Sequence, residues 1–192
     1  MNATKARLVD VSADLFHRRG LAATGIKQIL TEAQAPFSSL YHHFPGGKDE
    51  LAEAAIRSSG VQYQALVEEV WDGQDNLISS IAAVFDGASQ TLEATDFVEA
   101  CPIAVIALEV ASTNEQLRTA TAKVFEAWIV AASERLVSAG IVTNDARQLA
   151  LSIICLIEGA FVLSQAMKST EPMQSARDTA LRAVRDLLTT SA

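Results

Sequence analysis

The sequence predicts an all-α fold of about nine helices, and three observations lead to that class. Apolar residues recur at three- and four-residue spacing in each long segment, no convincing apolar–polar alternation of the strand kind occurs, and Gly140 and Pro172 punctuate the periodic stretches cleanly. With 192 residues, 49% of them apolar and 20% charged, the chain has the composition of an ordinary folded protein rather than a disordered one.

Each element has its own signal. Leu8, Val11, Leu15 and Phe16 repeat at helical spacing behind Thr4 as the expected N-cap, and Gly20 supplies the stop. Thr24 is expected to cap a second helix carrying Ile26, Ile29, Leu30 and Ala33, interrupted at Gln34-Ala35-Pro36. Pro36 opens a short third helix at its first position, where a missing N–H costs nothing, and Phe44-Pro45-Gly46-Gly47 closes it. A long fourth helix runs from Lys48 towards Trp71 and Asp72, with Asp49 and Glu50 favourable against its dipole; Gly60 weakens it without ending it. Further helices are expected from Asp75 to Glu93, Pro102 to Ser112, Asn114 to Ala139, Asn144 to Met167, and Pro172 to Leu188.

These elements divide into two expected domains, residues 1–47 and 48–192. The division is also one of charge. Residues 1–48 hold six basic and three acidic side chains, a net of +3, whereas the remainder carries −11 of the chain's total −8. A small basic module on an acidic body points weakly to a polyanionic partner. No apolar run follows the opening residues, so a cytoplasmic location is the expectation. Leu149 to Met167 is apolar enough to raise the membrane question, but Glu158 at its middle costs about 2.5–3.5 kcal/mol in a bilayer. A helix buried on more than one side, and no membrane partner, is therefore expected. Cys101 and Cys155, far apart and outside any CxxC, are expected to be buried thiols.

The stretch FSSLYHHFPGGK, residues 37–48, concentrates aromatic and histidine side chains that are scarce elsewhere. A metal centre on His42 and His43 is poor geometry, because adjacent helix positions diverge by about 100°. No histidine follows residue 43, which leaves the body without a Glu-x-x-His metal cluster and Cys101 without a histidine base in its own domain. No metal, no cofactor and no enzyme are expected. What remains is a helix, a tight turn and a short second helix, the arrangement that places its second helix in a DNA major groove. Phe37, Ser38 and Ser39 lie at the end that meets base edges. Tyr41, His42 and His43 suit phosphate oxygens one turn later, Thr24 and Lys27 open the preceding helix, and Lys48 opens the following one at a helix N-terminus that favours anions. The bland reading is that Leu40 and Phe44 plug the small core, with Tyr41 serving both ends.

Residues 4–51, with TGIKQILTEAQAPFSSLYHHF followed by Lys48 and Leu51, resemble the N-terminal domain of the TetR family of transcriptional regulators, in register through three helices. The resemblance implies a ligand-responsive homodimer, most often a repressor released from a palindromic operator on double-stranded DNA by a small-molecule effector. It implies DNA-backbone contacts at Thr24, Lys27, Tyr41, His42 and Lys48, with Lys27 sometimes reading a base, and base reading at Pro36, Phe37, Ser38 and Ser39. Two departures stand out. Gln34 stands where the family usually has the turn glycine, and Phe37 stands where a polar or basic residue is usual, so it either stacks on a thymine methyl or turns inward. The Pro45-Gly46-Gly47-Lys48 stretch and the run from Cys101 to Glu109 resemble a subgroup of multidrug- and flavonoid-responsive repressors.

By the same resemblance, Phe85, Phe97, Ile103, Ile106, Phe125, Trp128 and Phe161 sit on helices that point inward in the body; as a set they suit an apolar or aromatic effector, while helical spacing of apolar residues is first of all a packing signal and most of them are expected to be core. Glu109 and Glu158 sit in apolar helical runs, where each carboxylate needs a partner, water or a ligand: a salt bridge or solvent contact is the plain expectation and a ligand-facing acid the sharper one. The dimer face is expected at Ile153, Ile157, Ala160 and Ser164 on one helix and Leu181, Val184 and Leu188 on the next. The competing class is a helical dimeric interaction protein without DNA binding. It gives no reason for Ser38, Ser39, His42 and Lys48 to cluster.

Overall fold

The computed structural model describes residues 3–99 and 101–190. Among them are nine helices and no strand: α1 (Ala3–Arg19), α2 (Ile26–Glu32), α3 (Phe37–His43), α4 (Lys48–Asp72), α5 (Leu77–Ala94), α6 (Pro102–Val110), α7 (Glu115–Ser138), α8 (Thr143–Met167) and α9 (Glu171–Thr190). All nine expected helices occur. The differences lie at their ends, where capping decides. Gly25 rather than Thr24 is the N-cap of α2, and Pro36 caps α3 from outside rather than forming its first turn. Asn76 starts α5 by accepting the Ser79 N–H at 3.0 Å. Thr4 lies within α1 rather than before it.

The chain packs as two compact units. The first holds α1, α2, α3, α4 as far as Tyr63, α6, and α7 as far as Val124. Its core is made by Leu8, Leu15 and Phe16 of α1, Ile29 of α2, Leu40 and Phe44 around α3, Leu51 and Ile56 of α4, and Ile103 and Ile106 of α6, all buried. Here α6 packs directly on α1. Arg7 donates from Nε to the Ala33 carbonyl at the end of α2, 3.2 Å away, and the Lys5 ammonium sits 5.2 Å from the centre of the Phe44 ring.

The second unit holds the rest of α4 and α7 with α5, α8 and α9. There α9 packs on both α5 and α8, burying Ile81, Phe85, Leu149, Ile153, Phe161, Met173 and Val184. An ion pair between Arg177 of α9 and Asp86 of α5, at 2.7 Å, crosses this packing. Helix α8 is long and apolar enough to cross a membrane by length and composition. The sequence predicts burial on more than one side, and the structure corrects this: Leu151, Val162, Leu163 and Met167 form an exposed apolar stripe opposite its packed face. Cys155 falls on that stripe and is exposed, unlike Cys101, which is buried as expected. An apolar helix in sequence does not say which of its faces has a partner within the chain.

Candidate nucleic-acid interface

Helix α3 is seven residues long and cannot stand alone; two side chains fix it. Leu40 and Phe44, four apart and so on one face, are buried, which turns the opposite face out. On that outer face Phe37 is 66% and Tyr41 49% exposed, their rings 5.7 Å apart, with Pro36, Ser38 and His42 exposed beside them. Ser39 and His43 are half-buried at its edge. Of the two readings of Phe37, the inward one is excluded: its ring points to solvent. The imidazoles of His42 and His43 meet edge to face at 4.7 Å, and among the described residues no three His, Cys, Asp or Glu side chains group as metal ligands.

Two turns set how this face is presented. The one between α2 and α3 is held by its own backbone. Ala35 N–H reaches the Leu30 carbonyl at 2.9 Å and Gln34 N–H the Thr31 carbonyl at 3.2 Å, the paired bonds of a Schellman cap. That cap needs a left-handed residue, and Gln34 supplies it at φ 49°. The turn between α1 and α2 is held from outside. Glu109, half-buried near the end of α6, accepts the N–H of Leu21 at 3.0 Å and of Ala22 at 2.7 Å, while Lys48 donates from Nζ to the Leu21 carbonyl at 2.7 Å. Gly20 makes room for the carboxylate, since a Cβ there would lie 2.2 Å from Glu109 Oε1, and its φ of +80° is one that glycine adopts at little cost.

Thr24 and Glu109 therefore occupy places the sequence did not indicate. Thr24 was expected on the DNA backbone, but its side chain is fully buried, its hydroxyl donating to the carbonyls of Gly20 at 2.8 Å and Leu15 at 3.4 Å. Glu109 is expected near an effector; in the structure each of its oxygens accepts a peptide N–H of the α1–α2 turn, so the carboxylate finds its partners in the backbone. Lys27, by contrast, is exposed on α2. It lines a shallow depression with Gly25, Gln28, Thr31 and Glu32, of which Gln28 and Thr31 escaped the sequence reading despite lying one and four residues after Lys27.

The start of α4 is fixed in the same unit. Asn114 caps α7 through the Leu117 N–H at 3.1 Å and donates to Asp49 Oδ2 at 2.9 Å. Gln116 donates to Glu53 Oε2 at 2.7 Å, and this bond, then those from Arg57, hold the Glu53 carboxyl below the usual carboxylate range.

The remaining expected residues divide between the units. Ile103 and Ile106 are core residues of the first. In the second, Phe85 and Phe161 are buried packing, whereas Phe97, Phe125, Trp128 and Glu158 are half-buried. The rings of Phe125 and Trp128 meet edge to face at 5.5 Å, and the Lys168 ammonium stands 5.7 Å from the centre of Phe97. The expected dimer residues need a correction. Ile153, Ala160, Ser164, Leu181 and Val184 are buried where α8 and α9 pack inside one chain, and Ile157 and Leu188 are half-buried. The outward side of α9 is polar, with Gln174, Asp178, Arg182 and Arg185, so its one apolar stripe is already used.

A short solvent-facing helix set across a tight turn, in a basic three-helix module, defines the class: a helix-turn-helix DNA-binding protein. Comparison with known proteins places it further. The model for bacterial regulatory proteins of the tetR family matches residues 8–55, and that for the C-terminal domain of LmrA/YxaF-like transcriptional regulators matches residues 78–179. The HTH-type transcriptional regulator YxaF of Bacillus subtilis is 31% identical over 170 residues, covering 88% of this chain and 89% of YxaF. LmrA of the same organism is 27% identical, covering 88% and 90%. Among solved structures, the reduced form of Escherichia coli NemR superposes with a TM-score of 0.79 at 24% identity over 92% of this chain and 94% of its own. A TetR-family regulator from Cytophaga hutchinsonii gives 0.82 at 18% identity over 96% and 94%. The chain belongs to the TetR family and is a ligand-responsive, DNA-binding transcriptional regulator.

Proposed function

We propose that the protein acts in the cytoplasm as a homodimeric repressor, its two α3 helices seated in successive major grooves of a palindromic operator and released by a small apolar or aromatic effector. Residues 1–47 serve as the DNA-binding domain and residues 48–192 carry effector binding and dimerisation. One observation carries the reading: the exposed Phe37–Tyr41 pair, flanked by Ser38 and His42, on a short helix whose other face is locked by Leu40 and Phe44. An exposed aromatic pair rimmed by polar side chains is the kind of patch that marks an interaction site. Pro36, Phe37, Ser38 and Ser39 meet base edges, Phe37 against a thymine methyl. Lys27, Tyr41, His42, His43 and Lys48 hold phosphates, and buried Thr24 serves by fixing the turn that carries α2.

The second copy sits on the outward stripe of α8, where Leu151, Cys155, Gly159, Leu163 and Met167 recur every four residues along one side of the helix, with Val162 beside Leu163. The effector site narrows to the half-buried Phe97, Phe125, Trp128 and Glu158 of the second unit. The name of NemR as a transcriptional repressor, at 24% identity over 90% of this chain, supports repression over activation.

Selection of bound duplex from a random pool tests the reading. A two-fold symmetric site with half-sites one helical turn apart, about 34–36 Å, is expected; an asymmetric site or none sinks it. Leu163→Glu should convert the dimer to monomer in sedimentation and abolish tight operator binding. A dimer that survives this charge would move the interface elsewhere.

A further inference from the structure

We infer that Glu109 is a positioning residue for DNA binding: a side chain of α6 that makes no DNA contact and holds the reading helices at their working angle by capturing the peptides of Leu21 and Ala22. The inference rests on the DNA-binding reading of α3. Its warrant is where the backbone polar groups of the α1–α2 turn go. Leu21 and Ala22 lie between the end of α1 at Arg19 and the start of α2 at Ile26, so no helix satisfies their N–H groups. Both point at one carboxylate, Leu21 to Oε1 at 3.0 Å and Ala22 to Oε2 at 2.7 Å, from a residue 88 and 87 positions away. Two successive N–H groups converging on an anion form an anion nest, here filled by the chain's own glutamate.

The opposite pole of the same peptide region is also held. The Leu21 carbonyl takes the Lys48 ammonium at 2.7 Å, and the Gly20 carbonyl takes the buried Thr24 hydroxyl at 2.8 Å. Glu109 from α6 and Lys48 from α4 thus grip the Leu21 residue at its donor and its acceptor with charges of opposite sign. Gly20 has no side chain to keep the carboxylate away. The turn sets the direction of α2, and α2 bears Lys27 and leads through the self-held Gln34 turn to α3. Removing the carboxylate leaves two peptide donors to find water, and the turn samples other directions.

The effect on affinity follows from populations: if the binding-competent arrangement drops to about a tenth of the molecules, the apparent Kd rises about tenfold. Residue-resolved amide exchange and operator affinity are read together in wild type, Glu109→Ala, Glu109→Gln and Glu109→Asp, using the duplex that the wild-type protein selects from a random pool. Glu109→Ala should speed exchange at Leu21 and Ala22 while leaving Ile29 and Leu30 protected. It should weaken operator binding about tenfold with the slope of log K against log salt unchanged, because no phosphate contact is lost. Glu109→Gln, with one acceptor left, should fall between. Operator affinity within twofold of wild type, or tighter binding on removing the negative charge, overturns the inference. If Glu109→Ala does not fold, Glu109→Gln and Glu109→Asp decide it: cooperative melting with weakened binding supports positioning, and unweakened binding by both refutes it. A wild-type protein that selects no duplex fails the DNA-binding reading and this inference with it, a result distinct from normal selection with indifferent Glu109 variants.

Discussion

The two turns that aim the DNA-reading face are held by different means. The α2–α3 turn closes on itself through the bonds Ala35 to Leu30 and Gln34 to Thr31, all within six residues. The α1–α2 turn is closed by side chains from outside it, Lys48 at 27 residues' separation and Glu109 at 87 and 88, with Thr24 bonding back across it. A locally closed turn fixes the α2–α3 angle whatever the rest of the protein does. A turn closed by remote charges makes the placement of that α2–α3 pair depend on α4 and α6. Rigid reading geometry and adjustable placement are thus assigned to separate turns.

The largest effect on stability is expected where the first turn is buried. Thr24→Val keeps the shape of the side chain but removes the hydroxyl that serves the Gly20 carbonyl in a fully buried site, so it should cost about 1–3 kcal/mol. Denaturant midpoints check this. Because Thr24 does not face solvent, the salt slope of operator binding by the folded fraction should not change; a reduced slope would return Thr24 to the DNA backbone.

Lys48→Ala is expected next in size and reports on two roles at once. An ammonium has three donors, and the Leu21 carbonyl takes one. Loss of this charge-assisted bond at a partly buried site should cost about 1.5 kcal/mol, the low end for a bond to a charged group. Loss of a phosphate contact should in addition lower the magnitude of the salt slope by about 0.9 per reading head and weaken all sequences alike. Stability lost with an unchanged slope would make Lys48 a turn residue only. Ser38→Ala and Ser39→Ala should do the reverse, altering base preference by about 1–3 kcal/mol per mismatched position with the slope kept.

The same contrast separates what the sequence discloses from what it conceals. The all-α class, the nine helices and the outward face of α3 are encoded at short range, by spacing and by capping residues, and could be read directly. Pro36 and Gly20 marked their boundaries to within a residue or two. Glu109 could be recognised as an acid in an apolar run that needed a partner, but its partners are peptide groups 87 and 88 residues away, and peptide groups leave no mark in a sequence. Thr24 was misplaced because a threonine before a helix reads as a cap, and nothing local shows that Gly25 takes that place and Thr24 turns inward. The α8 stripe failed for a third reason. Ile153 and Val162 are equally apolar, and only the packing of α9 and α5 on one side determines which of them is left exposed.

The smallest effect, and the one of opposite sign, belongs to the self-held turn. Gln34 stands in the left-handed region at φ 49°, where an L side chain crowds its own backbone at a cost of about 1–2 kcal/mol. Gln34→Gly removes that crowding but gives the unfolded chain more freedom to lose, about 0.5–1 kcal/mol. The difference should be a gain of about 0.5 kcal/mol or slightly more, visible as a small rise in the denaturant midpoint with an unchanged slope. Gln34 is exposed and its side chain is not needed by either Schellman bond, both of which use main-chain atoms only. Operator affinity should therefore stay within about twofold, since the α2–α3 angle is set by bonds the substitution keeps. A large loss of affinity on Gln34→Gly would mean that the glutamine side chain itself meets DNA, and that the second turn takes part in recognition rather than only shaping the head.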